Sequence, residues 1–186
     1  VDSAVIEEPA ELIASFGGST TSQLDCNGDT NGQIDLEVSG GTKPYAYSWT
    51  TSDGSGLDPA KADQTGLTGG TYDIEVTDNH GCIAANSHTV GEPSAITLDN
   101  QSFEDITCYG LTDGAIHLNA SGGTGTLWYQ MQDPYTDENT SGDFTGLAEG
   151  EYVISITDDN SCSGPQVTDS IREPSEIVPN ESITDA

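Results

Sequence analysis

The chain has very few positive charges. Its 186 residues include 3 Lys and Arg against 32 Asp and Glu, which gives a formal net charge of −29. The strong cations are Lys43, Lys61 and Arg172. A protein that binds nucleic acid needs a basic surface to neutralise phosphates, so this composition excludes nucleic acid as a partner. The same charge opposes adsorption to anionic membrane surfaces.

Long apolar segments are also missing. Hydrophobic residues make up 33% of the chain, and 22 residues are glycine. No apolar run approaches the roughly 18 residues that a membrane-spanning helix needs, and no signal-peptide pattern is present. We therefore expect no direct membrane insertion. Low apolar content suits small β-domains with narrow cores.

The motifs of common catalytic and metal sites are absent as well. The sequence has no C-x-x-C pair, no Gly-x-Ser-x-Gly elbow and no phosphate-binding loop. His80, His88 and His117 share no motif and are predicted to lie in a turn and on two strands. We expect no enzymatic activity and no cofactor.

One pattern occurs twice in the chain. Each copy has a cysteine, a Ser-Gly-Gly-Thr turn, a Gly-x-Tyr strand, a Thr-Asp turn with a second cysteine, and a closing Glu-Pro-Ser. The equivalent positions include Cys26 and Cys108, Ser39 and Ser121, Tyr72 and Tyr152, Cys82 and Cys162, and Glu92 and Glu173. A spacing of about 80 residues is too long for a solenoid and is typical of whole small β-domains in tandem.

The repeat predicts the domain organisation. We expect repeat 1 over residues 14–93, a linker over 94–96 and repeat 2 over 97–174. Residues 1–13 resemble the tail of a preceding repeat, and residues 175–186 resemble the start of a following one. We therefore expect a longer parent protein with many repeats.

Alternating side chains predict the fold class. Ile34, Leu36 and Val38 alternate with polar residues, as expected for a half-buried antiparallel strand. The same period occurs in the aromatic strands Tyr45, Tyr47, Trp49, Tyr72, Tyr129 and Tyr152. No stretch has helical periodicity. Short strands in units of about 80 residues predict an all-β fold of tandem immunoglobulin-like β-sandwiches arranged end to end.

These motifs together resemble the SprB-repeat family. The resemblance lies in the first cysteine, the Asn/Asp-Gly-x-Ile strand, Gly-Gly-Thr-x-Pro-Tyr-x-Tyr-x-Trp, Gly-Leu-x-x-Gly-x-Tyr, Val-Thr-Asp-x-x-Gly-Cys and Glu-Pro-Ser, and it covers essentially the whole chain. Repeat 2 departs from the pattern: Met131 stands in place of Trp49, and Ser161 precedes Cys162 in place of a glycine. The family takes its name from a gliding-motility adhesin of Bacteroidota that the type IX secretion system exports.

The resemblance implies a structural and adhesive segment of a long surface adhesin or filament. Such a segment is an extracellular spacer stalk at the cell surface, linked to gliding motility or surface attachment. The partners implied are adjacent repeats of the same chain, surface polysaccharide and the motility machinery. The alternative is a carbohydrate-binding accessory module of an exported polysaccharide-degrading enzyme. Sugar-binding modules present exposed aromatics, whereas the aromatics here fall on core positions.

The cysteines occur two per repeat, which is typical of disulfides in an oxidising, extracellular compartment. We expect the pairs Cys26–Cys82 and Cys108–Cys162, each within one repeat. The two members of such a pair could lie at opposite ends of a sandwich, which is the geometric objection. Buried reduced thiols are the alternative.

A calcium site is weakly indicated by Asp29, Asn31 and Asp35. Their spacing follows part of an EF-hand loop, but Val38 occupies the position of the bidentate glutamate. A turn that leads into a strand explains the same residues. A second calcium hypothesis uses Asp78, Glu92 or Asp105 near the repeat boundary.

Two further hypotheses concern the surface. Trp128 is out of register with its inward-facing neighbours, so it is predicted to face outward and is the candidate ligand contact; packing beneath the following loop is the alternative. Ser3 and Ser170 lie in Asp-Ser-aliphatic triplets, which resemble the O-glycosylation site of exported Bacteroidota proteins.

Overall fold

A computed structural model describes residues 8–133 and 136–179, with the exception of the Asp133 side chain. Every regular element in these ranges is a β-strand. The chain divides into two compact units between Ser94 and Ala95, which falls inside the predicted linker 94–96. The structure confirms the predicted all-β class and shows two β-units in tandem along the chain. Within the described ranges, no helix is long and apolar enough to cross a membrane.

Unit 1 contains three small antiparallel sheets around one core. Its strands are β1 Ile13–Phe16, β2 Gly32–Ile34, β3 Leu36–Ser39, β4 Ala46–Thr51, β5 Gln64–Leu67, β6 Gly70–Thr77 and β7 Ile83–Val90. The sheet orders are β1-β3, β2-β5 and β4-β6-β7. Apolar side chains from all three sheets form one cluster, which includes Ile34, Trp49, Leu67, Tyr72, Ile74 and Val76.

The strand predicted over 33–38 is two strands. Asp35 separates β2 from β3, and the chain passes there from the β5 pairing to the β1 pairing. The Asp35 N–H donates to Thr20 Oγ1 at 3.1 Å, and its carbonyl accepts the Gly17 N–H at 2.8 Å. Because these groups bond to the 17–20 loop, they are not available to either sheet.

Unit 2 is a sandwich of two sheets. Its strands are β8 Thr97–Glu104, β9 Gly114–Ser121, β10 Trp128–Asp133, β11 Asp137–Asn139, β12 Asp143–Leu147, β13 Gly150–Thr157 and β14 Val167–Ile171. The sheet orders are β12-β9-β8 and β11-β10-β13-β14. The core lies between the sheets and includes Ile116, Leu118, Tyr129, Met131, Phe144, Tyr152, Ile154 and Ile156. The alternation predicted for these strands is therefore confirmed.

Each unit has a leading end, where the chain enters, and a trailing end, where it leaves. In unit 1 the leading end holds Ala10 and the turn after β3, because the Gly41 N–H donates to the Ala10 carbonyl at 2.8 Å. The trailing end holds the last residues of β7, where Val90 is paired with Gly70. The eight-residue strands β6 and β7 run between the two ends, a span of about 27 Å at 3.4 Å per residue.

Candidate functional site

The trailing end of each unit carries a loop that we call the glycine loop, residues 26–29 in unit 1 and 108–111 in unit 2. Its first residue is the first cysteine of the repeat. The Cys26 carbonyl accepts the Asp29 N–H at 3.3 Å, and the Cys108 carbonyl accepts the Leu111 N–H at 3.2 Å. The third residue is a glycine with φ of 81° in unit 1 and 80° in unit 2, a backbone conformation that favours glycine.

The closing Glu-Pro-Ser signal fixes the glycine loop. The Glu92 carboxylate accepts the Gly28 N–H, and Glu173 accepts the Gly110 N–H in the same way. Asn27 Nδ2 also donates to the Pro93 carbonyl at 3.0 Å. Sequence reasoning treated the signal as a connecting turn and missed this role of the glutamate. The sequence pattern that could have shown it is the recurrence of the loop glycine and the glutamate at nearly the same separation, 64 residues in unit 1 and 63 in unit 2.

The leading end of unit 1 carries an aspartate turn, residues 78–82, with the second cysteine as its last residue. The Asp78 side chain is buried and accepts N–H groups from Thr42 at 2.8 Å, Cys82 at 2.8 Å and His80 at 2.9 Å. These hydrogen bonds, the one from Thr42 first, hold the pKa of Asp78 below its usual value. The carboxylate thus joins the turn after β3 to the turn after β6.

Unit 2 has the same aspartate turn at residues 158–162. The Asp158 carboxylate accepts N–H groups from Thr124 at 2.8 Å, Asn160 at 2.9 Å and Cys162 at 2.9 Å. Burial acts to raise the pKa of Asp158, but these hydrogen bonds outweigh it and the pKa is lowered. Ser161 has φ of 66°, at the position where unit 1 has Gly81 with φ of 85°. The departure from the repeat pattern therefore places a side chain in the left-handed region.

The predicted disulfide pairs are not formed. Cys82 and Cys108 are free thiols and are exposed, whereas Cys26 and Cys162 are disulfide-bonded. The physical reason is the separation of the two ends: the glycine loop and the aspartate turn of one unit lie at opposite ends of strands about 27 Å long. A disulfide needs Cα atoms within about 7 Å. The pairs Cys26–Cys82 and Cys108–Cys162 were therefore wrong, and the geometric objection to them was correct.

The calcium candidates have structural contacts of their own. Asp29 Oδ2 accepts the Cys26 N–H at 3.2 Å inside the glycine loop, Asn31 is exposed, and Asp35 lies at the break between β2 and β3. In unit 2 the Asp113 carboxylate accepts the Thr107 hydroxyl and N–H, which lower the pKa of Asp113. Among the described residues, no three His, Cys, Asp or Glu side chains group as a metal site would require. Calcium binding stays a prediction.

The residues of the second calcium hypothesis also have hydrogen-bond partners. Asp78 belongs to the aspartate turn and Glu92 holds the glycine loop. Asp105 Oδ1 accepts the Arg172 N–H at 2.8 Å. These contacts account for the three carboxylates as parts of the turns that close each unit.

Trp128 faces outward, as the alternation of β10 predicts. Its side chain is 36% exposed, whereas Tyr129 and Met131 are buried. The indole Nε1 donates to Asp159 Oδ1 at 3.1 Å, and Asp159 Oδ2 accepts the Thr126 N–H at 2.9 Å. These two hydrogen bonds, the one from Thr126 first, lower the pKa of Asp159. The ring is fixed at the leading end of unit 2, and its role as a ligand contact stays a prediction.

The glycosylation candidates differ in placement. Ser170 is half-buried on β14, the edge strand of its sheet, where it is paired with Glu151. Ser3 lies outside the described residues. The three histidines are not brought together by contacts: the His80 N–H bonds to Asp78, His88 Nε2 lies 2.7 Å from the Thr21 carbonyl, and His117 Nδ1 lies 2.8 Å from Asp143 Oδ1.

Comparison with solved structures finds multidomain fragments of low identity. A fragment of Sidekick-1 immunoglobulin domains 1–4 matches at 13% identity and a TM-score of 0.46, covering 92% of this chain and 51% of that one. An I-band fragment of titin matches at 16% identity and a TM-score of 0.45, covering 90% and 66%. A domain fragment of intimin matches at 12% identity and a TM-score of 0.47, covering 88% and 100%. This chain thus spans about half of the Sidekick-1 fragment.

Comparison by sequence identifies the repeat. No curated protein matches the chain. The SprB repeat family matches it twice, at residues 18–54 and 100–136. The first match includes the glycine loop of unit 1 and strands β2 to β4, and the second includes the glycine loop of unit 2 and strands β9 and β10. Each match therefore covers part of one unit. The resemblance drawn from the cysteine, turn and strand motifs is confirmed for these two segments, which are similar to the SprB repeat.

Proposed function

We infer that this chain is a spacer segment of a surface adhesin, in which each SprB repeat adds length between an attachment point and a binding tip. The observation that carries this proposal is the placement of the two ends of each unit. The chain enters unit 1 beside Gly41 and leaves it beside Gly28, about 27 Å away along β6 and β7. A unit of this kind extends the path of the chain rather than turning it back.

Unit 2 has the same arrangement. The glycine loop and Glu173 lie at the trailing end, where Ile106 N–H donates to the Arg172 carbonyl at 3.0 Å. The aspartate turn lies at the leading end, where the Asp159 N–H donates to the Thr124 carbonyl at 3.3 Å. Two units with the same polarity, with a division between Ser94 and Ala95, favour a chain built by repetition of one spacer.

The surface charge suits this role. With a net charge of −29, neighbouring copies repel one another, which keeps long segments apart and solvated. The described residues contain one Lys-to-carboxylate ion pair, Lys61–Asp58 at 3.1 Å, so lysine neutralises little of the acidic charge.

The aromatic residues favour the spacer over a carbohydrate-binding module. Trp49, Tyr72, Tyr129 and Tyr152 are buried in the two cores. Sugar recognition by stacking needs exposed aromatic faces. The indole nitrogen of Trp128 donates a hydrogen bond to Asp159 of the same unit. We propose a non-enzymatic role at the cell surface, with gliding motility or attachment as the process served.

Small-angle scattering of the complete chain tests the spacer proposal. We expect a maximum dimension close to the summed lengths of two units. A single compact particle, with the units side by side, would contradict the proposal. A glycan array on the same preparation tests the alternative, because selective binding that Trp128→Ala abolishes without a change in melting temperature would favour a carbohydrate-binding module.

A further inference from the structure

The two cysteine positions of the repeat are used differently in the two units. The glycine-loop cysteine is disulfide-bonded in unit 1, as Cys26, but free in unit 2, as Cys108. The aspartate-turn cysteine is disulfide-bonded in unit 2, as Cys162, but free in unit 1, as Cys82. At each of the two repeat positions, therefore, the cysteine is disulfide-bonded in one unit and free in the other. The two oxidised cysteines are one glycine-loop cysteine and one aspartate-turn cysteine.

Neither free thiol can form a disulfide with the other cysteine of its own unit. Cys82 follows Asp78 at the leading end of unit 1, and Cys108 lies in the glycine loop at the trailing end of unit 2. Cys82 and Cys26 are separated by the length of β7, about 27 Å, and Cys108 and Cys162 by that of β13. A disulfide partner for either thiol must come from another repeat.

We propose that Cys108 of one copy of this chain forms a disulfide with Cys82 of a second copy, so that SprB repeats are joined covalently from trailing end to leading end. The partner of each free thiol is thus the cysteine of the opposite kind on another SprB repeat. The inference goes beyond the spacer function, because it names a covalent partner, and its test does not depend on that function.

The surroundings of both thiols fit a partner repeat. Next to Cys82, Ile83 is 61% exposed, and next to Cys108, Tyr109 is 55% exposed. Leu111, the last residue of the same glycine loop, is 47% exposed. At the equivalent positions beside the oxidised cysteines the residues are Ser163, Asn27 and Asp29. Exposed apolar side chains therefore occur where a thiol is free, and docking of another repeat would remove them from water.

Both thiols are accessible and held on fixed turns. Cys82 lines an open groove of about 680 Å³ together with the 8–12 segment and Ile83. Its N–H is bonded to Asp78 at 2.8 Å, and the Cys108 carbonyl is bonded to the Leu111 N–H at 3.2 Å. A cysteine whose backbone is already ordered loses little further freedom when its disulfide forms.

The reaction needs an oxidant, which we take to be a small-molecule disulfide. The Cys82 thiol loses its proton, and the thiolate attacks one sulfur of the oxidant and releases the other as a thiolate. The Cys108 thiolate of the second copy then attacks Sγ of Cys82 and displaces the remaining oxidant thiolate. Two protein thiols lose two protons and two electrons, one S–S bond forms, and the oxidant is reduced to two thiols.

The test uses the complete chain, purified without reductant so that Cys26 and Cys162 stay oxidised. It is incubated with oxidised glutathione at about 1 mM protein, the range of effective concentration that a short linker provides. We expect a ladder of oligomers on non-reducing gels that collapses on reduction. Mass spectrometry of a mixture of isotope-labelled and unlabelled chains should find Cys82–Cys108 peptides that join the two labels.

Two matched variants make the test specific. Cys82→Ser and Cys108→Ser should each stay monomeric, whereas an equal mixture of the two should give one dimer and no larger species. Both positions are exposed, so the melting temperature serves as the control for folding. Any of four results would overturn the proposal: no oligomers, glutathione adducts alone, a Cys82–Cys108 bond within one copy, or dimers of each variant alone in the same yield as the mixture.

Discussion

Gln64 is the buried polar side chain whose removal tests the packing of unit 1 most directly. It is 1% exposed on β5, and the repeat-equivalent residue in unit 2 is the core residue Phe144. The Gln64 side-chain oxygen accepts the Asp58 N–H at 2.8 Å, and its nitrogen donates to the carbonyls of Asp58 at 2.9 Å and Lys61 at 3.1 Å. Gln64 thereby fixes the loop before β5.

We expect Gln64→Leu to destabilise unit 1 by about 3 kcal/mol. The change keeps the volume but removes three hydrogen bonds, each with a net contribution of about 1 kcal/mol. The carbonyls retain partners, since Asp58 also accepts the Lys61 N–H at 3.1 Å and Lys61 also accepts Trp49 Nε1 at 3.0 Å. The Asp58 N–H loses its partner, so the penalty falls on that group. At 4–8 °C per kcal/mol, the melting temperature of unit 1 should fall by roughly 12–24 °C.

The assay is thermal unfolding together with hydrogen exchange of peptides from each unit. Exchange should accelerate across residues 57–63 and leave unit 2 unchanged. Phe144→Leu is the matched control, because it alters the same repeat position without loss of a hydrogen bond and should destabilise unit 2 by about 1 kcal/mol. A shift of unit 1 by less than about 3 °C, with unchanged exchange in the loop, would refute the reasoning.

Three other predictions concern backbone strain, pH and modification. Ser161→Gly should raise the stability of unit 2 by about 1 kcal/mol, and Gly81→Ser should lower that of unit 1 by a similar amount, since the site is open and only its positive φ opposes a side chain; equal melting temperatures for all variants in calorimetry would contradict this. Because the folded-state pKa values of Asp78 and Asp158 are lowered, their contribution to stability is complete above about pH 4 and is lost as the pH falls through the folded-state values. The melting temperature should therefore be level between about pH 7 and pH 5 and should decrease as the pH is lowered further. Replacement of both aspartates by Asn should make this decrease at acidic pH smaller. Intact-mass spectrometry of protein from its native host should show a glycan on Ser170, and an unmodified mass would exclude it.

The sequence was sufficient for the parts of the fold that depend on periodicity. Alternation placed Ile34, Tyr72 and Ile154 in the cores, and the repeat placed equivalent turns in both units. The break at Asp35 could not be predicted, because Ile34, Leu36 and Val38 keep a perfect alternation through it. The chain changes sheets there through hydrogen bonds to a loop that lies 15 residues earlier in sequence.

The ends of the units were harder to predict for the same reason. The regular spacing of the cysteines suggested a disulfide within each repeat, but the direction of the strands places the two cysteines at opposite ends of the unit. The β6 and β7 hairpin runs from the trailing end to the leading end and back, so Cys82 lies at its turn while Cys26 lies beside its open end. Nothing in the sequence distinguishes the buried Asp78 and Asp158 from the many exposed acidic residues. Their hydrogen bonds reach turns about 35 residues away in sequence, so they depend on tertiary structure.

The pairing of the first strand has a mechanical consequence. Tension applied to the two ends of a unit pulls the first strand along its own axis, so its hydrogen bonds to the neighbouring strand are loaded in shear and resist together. In unit 1 this strand is β1, with four residues paired with β3. In unit 2 it is β8, of which seven residues are paired with β9. A pulling force should therefore detach β1 first, so that unit 1 yields at a lower force than unit 2.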